Sequence, residues 1–211
     1  MLNAIRLICG FALDGLFGDP QGKWHPVVLI GKIINSLERL LFPKKRNFKR
    51  EFFMGFILVI LMAGGMGILY YFLSRWLRQY LSLAFWALEI YLIFSFTAYR
   101  TLIKRVNNVK LALEQDNIEG ARQRLKHLVG RDTEHFSEKE IVRAGIESLA
   151  ESFSDGILAP LFYTALFGAL GGLIYKISNT LDSMLGYKNS RYYFFGFASA
   201  RFDDLMNIIP S

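Results

Sequence analysis

The sequence predicts an all-α protein, a polytopic membrane-embedded helical bundle with a polar helical insert, and three observations carry that expectation. Hydrophobic residues make up 53% of the 211 positions, 19 of them Phe, yet 20% of the chain is charged. Such a mixture suits a membrane protein with polar loops better than a soluble domain or a disordered chain. Residues 52–73 form an uncharged run long enough to cross ~30 Å of hydrocarbon at ~1.5 Å per residue, and 80–99 is a second candidate span. Residues 100–155 then turn charged and amphipathic, as an insert within a single membrane-embedded domain covering 1–211.

Taken in order, residues 1–17 are apolar apart from Arg6 and Asp14 and are followed by no small-residue cleavage site, so a retained helix is expected. Gly18-Asp19-Pro20 and His25-Pro26 break the chain, because proline cannot continue a helix and pushes its predecessor toward extended geometry. Helical periodicity resumes over 27–42, with Ile30, Ile33, Ile34, Leu37 and Leu41 on one side. Lys44, Lys45, Arg46, Lys49 and Arg50 then hold one end of the next span in the cytoplasm. Gly64, Gly65 and Gly67 in that span suit close helix contact. Glu89, central in 80–99, must be protonated, paired or facing a polar cavity, and reads as structural within the bundle rather than catalytic.

Two spans return the chain to the basic side and so place 100–155 in the cytoplasm. Asp116, with Glu119 reaching back, is expected to cap one helix, whose stripe is Ile118, Ala121, Leu125 and Leu128 and whose end is Gly130. Ser137 and Glu140 repeat the capping pattern before a second helix, which Gly156 is expected to end. Arg131-Asp132-Thr133 between them reads on its own as a solvated turn, with Thr133 bonded to its own backbone.

The net charge of +7 does not indicate a nucleic-acid partner, since the bases cluster at the edges of apolar segments. Cys9 stands alone, which excludes an internal disulfide and a cysteine-based metal site. His127 and His135 lack ligand spacing and are expected on solvated surfaces. No P-loop, GxGxxG, GxSxG or HExxH pattern is present.

The chemistry is concentrated between residues 147 and 189. Glu147, Glu151 and Asp155 are four apart and rise as one stripe on a helix. Arg143 can bridge Glu147 in an ordinary i,i+4 pair, which leaves Glu151 and Asp155 unexplained. Hard oxygen ligands in a row suit Mg²⁺, which takes one or two carboxylates plus substrate phosphates. A second polar set, Lys176, Asn179, Asp182 and Asn189, follows the short apolar segment 157–175. If 157–175 crosses the membrane the two sets face apart; if it doubles back inside protein they share a side. Asp203 and Asn207 lie one turn apart near the end, beside Asp204 and Arg201.

A series of local motifs resembles the CobD/CbiB family of cobalamin biosynthesis, the adenosylcobinamide-phosphate synthases. In order they are Asp14 through Asp19-Pro20, His25-Pro26-Val27 with Ile30-Gly31, and Val129-Gly130-Arg131-Asp132-Thr133. Then come Glu147-Ser148-Leu149-Ala150-Glu151, Ser154-Asp155-Gly156 and Ala159-Pro160-Leu161-Phe162-Tyr163. Tyr175-Lys176, Asn179 through Met184, Gly186 through Asn189 and Arg201-Phe202-Asp203-Asp204 complete the set. Family members usually carry an Asn-Thr pair where this chain has Ser152-Phe153, and they continue with further membrane helices past the position of Ile209-Pro210.

The resemblance implies a multi-pass protein of the prokaryotic inner membrane that forms an amide. It would join a propionate carboxylate of adenosylcobyric acid, a corrinoid, to an aminopropanol phosphate, with ATP as co-substrate and Mg²⁺ as cofactor. Glu147, Glu151, Asp155, Asn179 and Asp182 are then the expected catalytic residues, with Mg²⁺ on Glu147, Glu151 and Asp155. Asp19, His25, Arg131, Asp132, Lys176, Asn189, Arg201, Asp203 and Asp204 are expected to bind substrate. Two alternatives stay open: a non-catalytic membrane sensor or regulator of the AmpE type, and a Mg²⁺-dependent prenyl- or alcohol-phosphotransferase. Glycine faces on 52–73 and 157–175 also suit association of copies of the chain.

Overall fold

The computed structural model describes residues 2–20, 22–130 and 132–210, and every regular element among them is helical. Leu2–Phe17 forms α1 and Pro26–Leu41 forms α2. His25 caps α2, its ring Nδ1 accepting from the Val27 amide at 3.2 Å, and Pro26 fits the first turn, where an amide would have no helical partner anyway. Ile30 and Ile34 are buried as the periodicity predicts, whereas Ile33 faces outward.

α3 (Phe48–Ile60) and α4 (Met66–Tyr80) run as one 33-residue helix through a π-helical turn at Leu61–Gly65. A break at Leu81 reverses the chain into α5 (Ser82–Phe96). The reversal is antiparallel, because Tyr70 donates to Glu89 while Arg78 lies over the ring of Phe85. α1 runs parallel to α5, with Arg6 bonded to Glu89 at 2.7 Å. The Asp14 carboxylate at the end of α1 accepts from the Tyr99 amide at 2.7 Å, tying α1 to the first residue after the Thr97–Ala98 break. Glu89 thus has the structural pairing expected of a buried carboxylate in an apolar helix. The outer face of α3–α4 exposes Phe52, Phe53, Ile60, Ile68, Leu69 and Phe72.

Gly67 makes the close helix contact expected of it, a Cβ there lying 3.3 Å from Ile174 Cδ1, but the glycines at 64 and 65 do not: a Cβ at either would meet nothing within 4 Å. Gly55 does, since a Cβ there would sit 2.0 Å from the Phe195 carbonyl oxygen. That approach seats the loop before α11 (Phe197–Asn207) on α3. Buried Glu38 holds the same loop, accepting from Arg191 and from the Tyr192 hydroxyl, each at 2.9 Å.

Thr97 and Ala98 interrupt the second apolar stretch, and α6 (Tyr99–Glu114) leaves the bundle as the first of three polar helices. α7 (Ile118–Val129) and α8 (Glu138–Phe153) follow. Together they enclose a small core of their own that includes Val109, Ala121, Leu125 and Ile141. Two expectations hold: Gly130 ends α7 in the left-handed conformation (φ 59°), and Ser137 and Glu140 form a reciprocal capping box. Three need correction. Asn117, not Asp116, caps α7, accepting from the Gly120 amide at 2.8 Å, while Asp116 takes φ 54° in the turn. Thr133 bonds the Arg122 carbonyl oxygen at 2.8 Å instead of its own backbone, which fastens the loop to α7. Gly156 does not end α8; the helix continues through a π-helical turn at Ser154–Leu158 into α9 (Ala159–Phe167).

Candidate functional site

The placement of the site follows from one reversal. Gly168, at φ 69° and ψ −165°, ends α9 and starts α10 (Ala169–Leu185), which runs back against α9. Those dihedrals lie in a region all but reserved for glycine. The antiparallel register is visible in the rings of Tyr163 and Tyr175, stacked 5.6 Å apart. Beyond them the Tyr175 hydroxyl donates to Asp155 at 3.3 Å, and Asn179 donates to the same carboxylate at 3.5 Å. The segment 157–175 is therefore not one straight rod but two legs. The acidic stripe before it and the polar set after it meet at one end of the bundle.

Between them lies a cleft of about 610 Å³. Glu147, Glu151 and Asp155 line one wall and Lys176 and Asn179 the other, while Arg105 projects from α6. The π-helical turn at Ser154–Leu158 re-aims Asp155 toward α10, a use of such turns common at functional sites. Burial lifts the Asp155 carboxyl above its ordinary range; the Tyr175 hydrogen bond opposes this, and the nearby Glu151 charge adds to it. Burial also lowers the Lys176 ammonium, against the attraction of Asp19, Asp155 and Asp203.

Lys176 lines a second, smaller cavity of about 260 Å³ as well, with Asp19 and His25. His25 Nε2 lies 2.9 Å from Asp19 Oδ1. Since Nδ1 already accepts from Val27, the ring is the tautomer whose Nε2–H donates to Asp19. Both ring nitrogens are thus engaged, and His25 orients Asp19 at the wall of this cavity.

Three further acids gather beneath α10. Asn207 donates to Asp203 at 2.9 Å, and its Oδ1 lies 3.0 Å from the Tyr175 hydroxyl, which shares its one proton between Asn207 and Asp155 and so links Asp203 to Asp155 through two side chains. Burial, then the charges of Asp182 and Asp155, raise Asp203 to about 7. Burial and the charges of Asp204 and Asp155 raise Asp182 as well. Asp204 itself is exposed and bonded to Arg201 at 3.1 Å.

Other expected residues have partners outside the cleft, Glu147 on its rim among them. Glu147 is half-exposed and bridged to Arg143 at 2.8 Å, as the i,i+4 spacing allows. Asn189 caps its own turn, accepting from the amides of Arg191 and Tyr192. Exposed Asp132 accepts from the Glu134 amide at 3.1 Å. Arg131 lies outside the described residues, and His127 and His135 are exposed as expected.

Among the described residues no three Asp, Glu, His or Cys side chains converge as a closed metal cage. Glu151 and Asp155, one turn apart on the cleft wall, offer the one or two carboxylates with which Mg²⁺ is held beside a phosphate. Arg105 and Tyr175 escaped sequence reading as site residues. A signal for Arg105 existed: positions 98, 101, 102 and 105 share one helical face and all line the cleft. Tyr175 stood in the Tyr175-Lys176 motif of the family resemblance, but its position in an apolar run gave it no role of its own.

Comparison with known proteins gives a consistent result. Residues 7–211 match the family model described as CobD/Cbib protein. The cobalamin biosynthesis protein CobD of Clostridium acetobutylicum is 39% identical over 211 residues, covering 98% of this chain and 65% of that protein. Its counterpart in Halalkalibacterium halodurans is 40% identical over 211 residues, covering 99% of this chain and 64% of the relative. The one in Clostridium perfringens is 37% identical over 208 residues, with 98% and 65% covered. The chain thus spans about 65% of the length of these curated relatives. No solved structure matches.

Proposed function

This chain belongs to the CobD/Cbib family, and on that premise we propose that it serves cobalamin biosynthesis as an ATP-dependent amide-forming ligase. The substrates are a propionate carboxylate of adenosylcobyric acid and the amine of an aminopropanol phosphate. We place it in the prokaryotic inner membrane as a multi-pass protein, with α6–α8 in the cytoplasm. Two long helical runs, 48–80 and 82–114, each contain an apolar window long enough to cross a membrane, the second in its α5 half, and support that placement, as do the outward-facing aromatic and aliphatic side chains of α3–α4 and the basic run at 44–50.

A carboxylate resists attack by an amine. Transfer of the ATP γ-phosphoryl group to a carboxylate oxygen breaks the terminal P–O bond, releases ADP and makes a leaving group. The amine then forms the C–N bond, expels phosphate and loses a proton. Such chemistry asks for charge neutralisation and positioning rather than a protein nucleophile. Lys176 and Arg105 supply positive charge to phosphate oxygens from two sides of the cleft. Glu151 and Asp155 would hold Mg²⁺, which when bound neutralises phosphate charge. Asn179 and Tyr175 fix the Asp155 carboxylate, and Asp182 and Asp203 offer acceptors for the substrate amine.

The observation that carries the reading is the meeting of Asp155 with Tyr175 and Asn179 across the reversed hairpin. It is tested by Glu151→Ala and Asp182→Ala in correctly inserted protein supplied with adenosylcobyric acid, aminopropanol phosphate and ATP. Each is expected to abolish amidation, and near-normal turnover removes that residue from the site. Heat protection that needs both corrinoid and ATP supports the ligase; protection by prenyl diphosphates instead favours a transferase.

A further inference from the structure

A polar cleft of about 310 Å³ opens at the opposite end of the bundle, where α4 turns into α5 and the apex of the α9–α10 hairpin rises between them. Three guanidinium groups, Arg6, Arg75 and Arg78, face a single carboxylate, Glu89. Arg6 and Glu89 are paired at 2.7 Å. Arg78 rests over the Phe85 ring at 4.7 Å, and among the described residues neither it nor Arg75 has a carboxylate partner. Two positive charges, three residues apart on one helical face, are left over. The floor is the start of α10, whose first turn has no side-chain cap and adds the positive end of its dipole to the same space.

Topology does not account for these arginines, because the bias toward basic residues applies to the cytoplasmic end, and they sit at the other. Burial does not account for them either: both residues are exposed, and only Arg78 has a ring, Phe85, beneath it. Exposed Tyr71, Trp76 and Tyr80 surround them, the ring types that settle at the level of lipid headgroups. A guanidinium presents a planar fork matched to phosphate oxygens, and two forks beside a helix start make an anion receptor.

We propose that this cleft binds a phosphate group, with Arg75 and Arg78 taking its oxygens. Two sources carry that chemistry at this end of the bundle: the headgroup of an anionic phospholipid and free phosphate. Protein purified in neutral detergent is titrated separately with phosphatidylglycerol, with diacylglycerol of the same chains, and with inorganic phosphate, reading thermal stability and native mass. Phosphatidylglycerol is expected to bind and diacylglycerol not to. Loss of two charge-assisted contacts in Arg75→Gln/Arg78→Gln should weaken binding about tenfold or more. Arg75→Lys/Arg78→Lys should keep most of it, and Lys44→Gln/Lys45→Gln, at the other end, all of it. Arg75→Gln alone breaks no internal contact and should shift affinity in the same direction, so the test survives poor folding of the double variant. Protection by inorganic phosphate identifies the soluble source, and protection by phosphatidylglycerol alone the lipid. Equal binding by wild type and Arg75→Gln/Arg78→Gln, or no preference for phosphatidylglycerol over diacylglycerol together with no effect of phosphate, overturns the proposal.

Discussion

Replacing Gly168 by Ala separates a reversed hairpin from a straight helix by the sign of the effect. If 157–175 were one continuous rod, Gly168 would be helical, and Ala would stabilise it by about 0.8–1 kcal/mol. At φ 69° and ψ −165° the side chain is instead forced into a conformation that costs about 1–3 kcal/mol. A Cβ at this position meets no atom within 4 Å, so the cost comes from the backbone alone and no clash is mixed into it. Gly65 supplies the internal control. Its Cβ is equally unopposed, but its dihedrals are helical (φ −62°, ψ −48°), so Gly65→Ala should be neutral or mildly stabilising. Unfolding followed by circular dichroism in one detergent compares the two, at about 2–4 °C of Tm per kcal/mol for a chain of this size. Gly168→Ala should melt lower than wild type and Gly65→Ala should not. A Gly168→Ala protein at least as stable as Gly65→Ala would refute the reversal, and with it the shared cleft.

Three other expectations follow from the geometry. Arg6→Met strands Glu89 among apolar helices and should destabilise by about 3–5 kcal/mol, while adding Glu89→Leu should restore most of the loss; a double-mutant cycle in detergent checks this. Asp203, at about 7 in the folded protein against ~3.9 unfolded, keeps a proton that the unfolded chain has released between those values. Its contribution to stability is full below pH ~4 and is lost as pH rises to about 7; Asp203→Asn should flatten that slope in pH-dependent melting. Ser137→Ala removes half of the capping box on α8 and should cost about 1 kcal/mol, read in the same melts.

Much of this was written locally in the chain. The capping box at Ser137, the left-handed end at Gly130 and the Arg143–Glu147 bridge need only neighbours three or four residues away, so spacing reveals them. Glu89 was legible for another reason: a carboxylate in an apolar run must be protonated, paired or turned to a polar cavity. That the partner was Arg6, 83 residues earlier, depends on α1 packing parallel to α5, which no local pattern encodes. The close-contact glycines were only partly legible on the same ground. Of three glycines in one turn only Gly67 packs closely, against Ile174 of α10, while the tertiary path of the 186–196 loop adds Gly55, which no local pattern marks. Within the site, the acidic stripe and the polar set were visible as periodic residues. Their meeting turned on a single glycine whose dihedrals sequence does not print, and on a π-helical turn that carries α8 past Gly156.

The most direct measurement uses Cys9→Ser protein in sealed vesicles of known orientation, with one cysteine introduced at Glu151, at Ser183 or at Leu81. Glu151 and Ser183 line the same cleft from its two walls, and Leu81 marks the turn at the opposite end. A membrane-impermeant thiol reagent should reach the first two from one face and Leu81→Cys only from the other. Labelling of Glu151→Cys and Ser183→Cys from opposite faces would contradict a single cleft built from both walls.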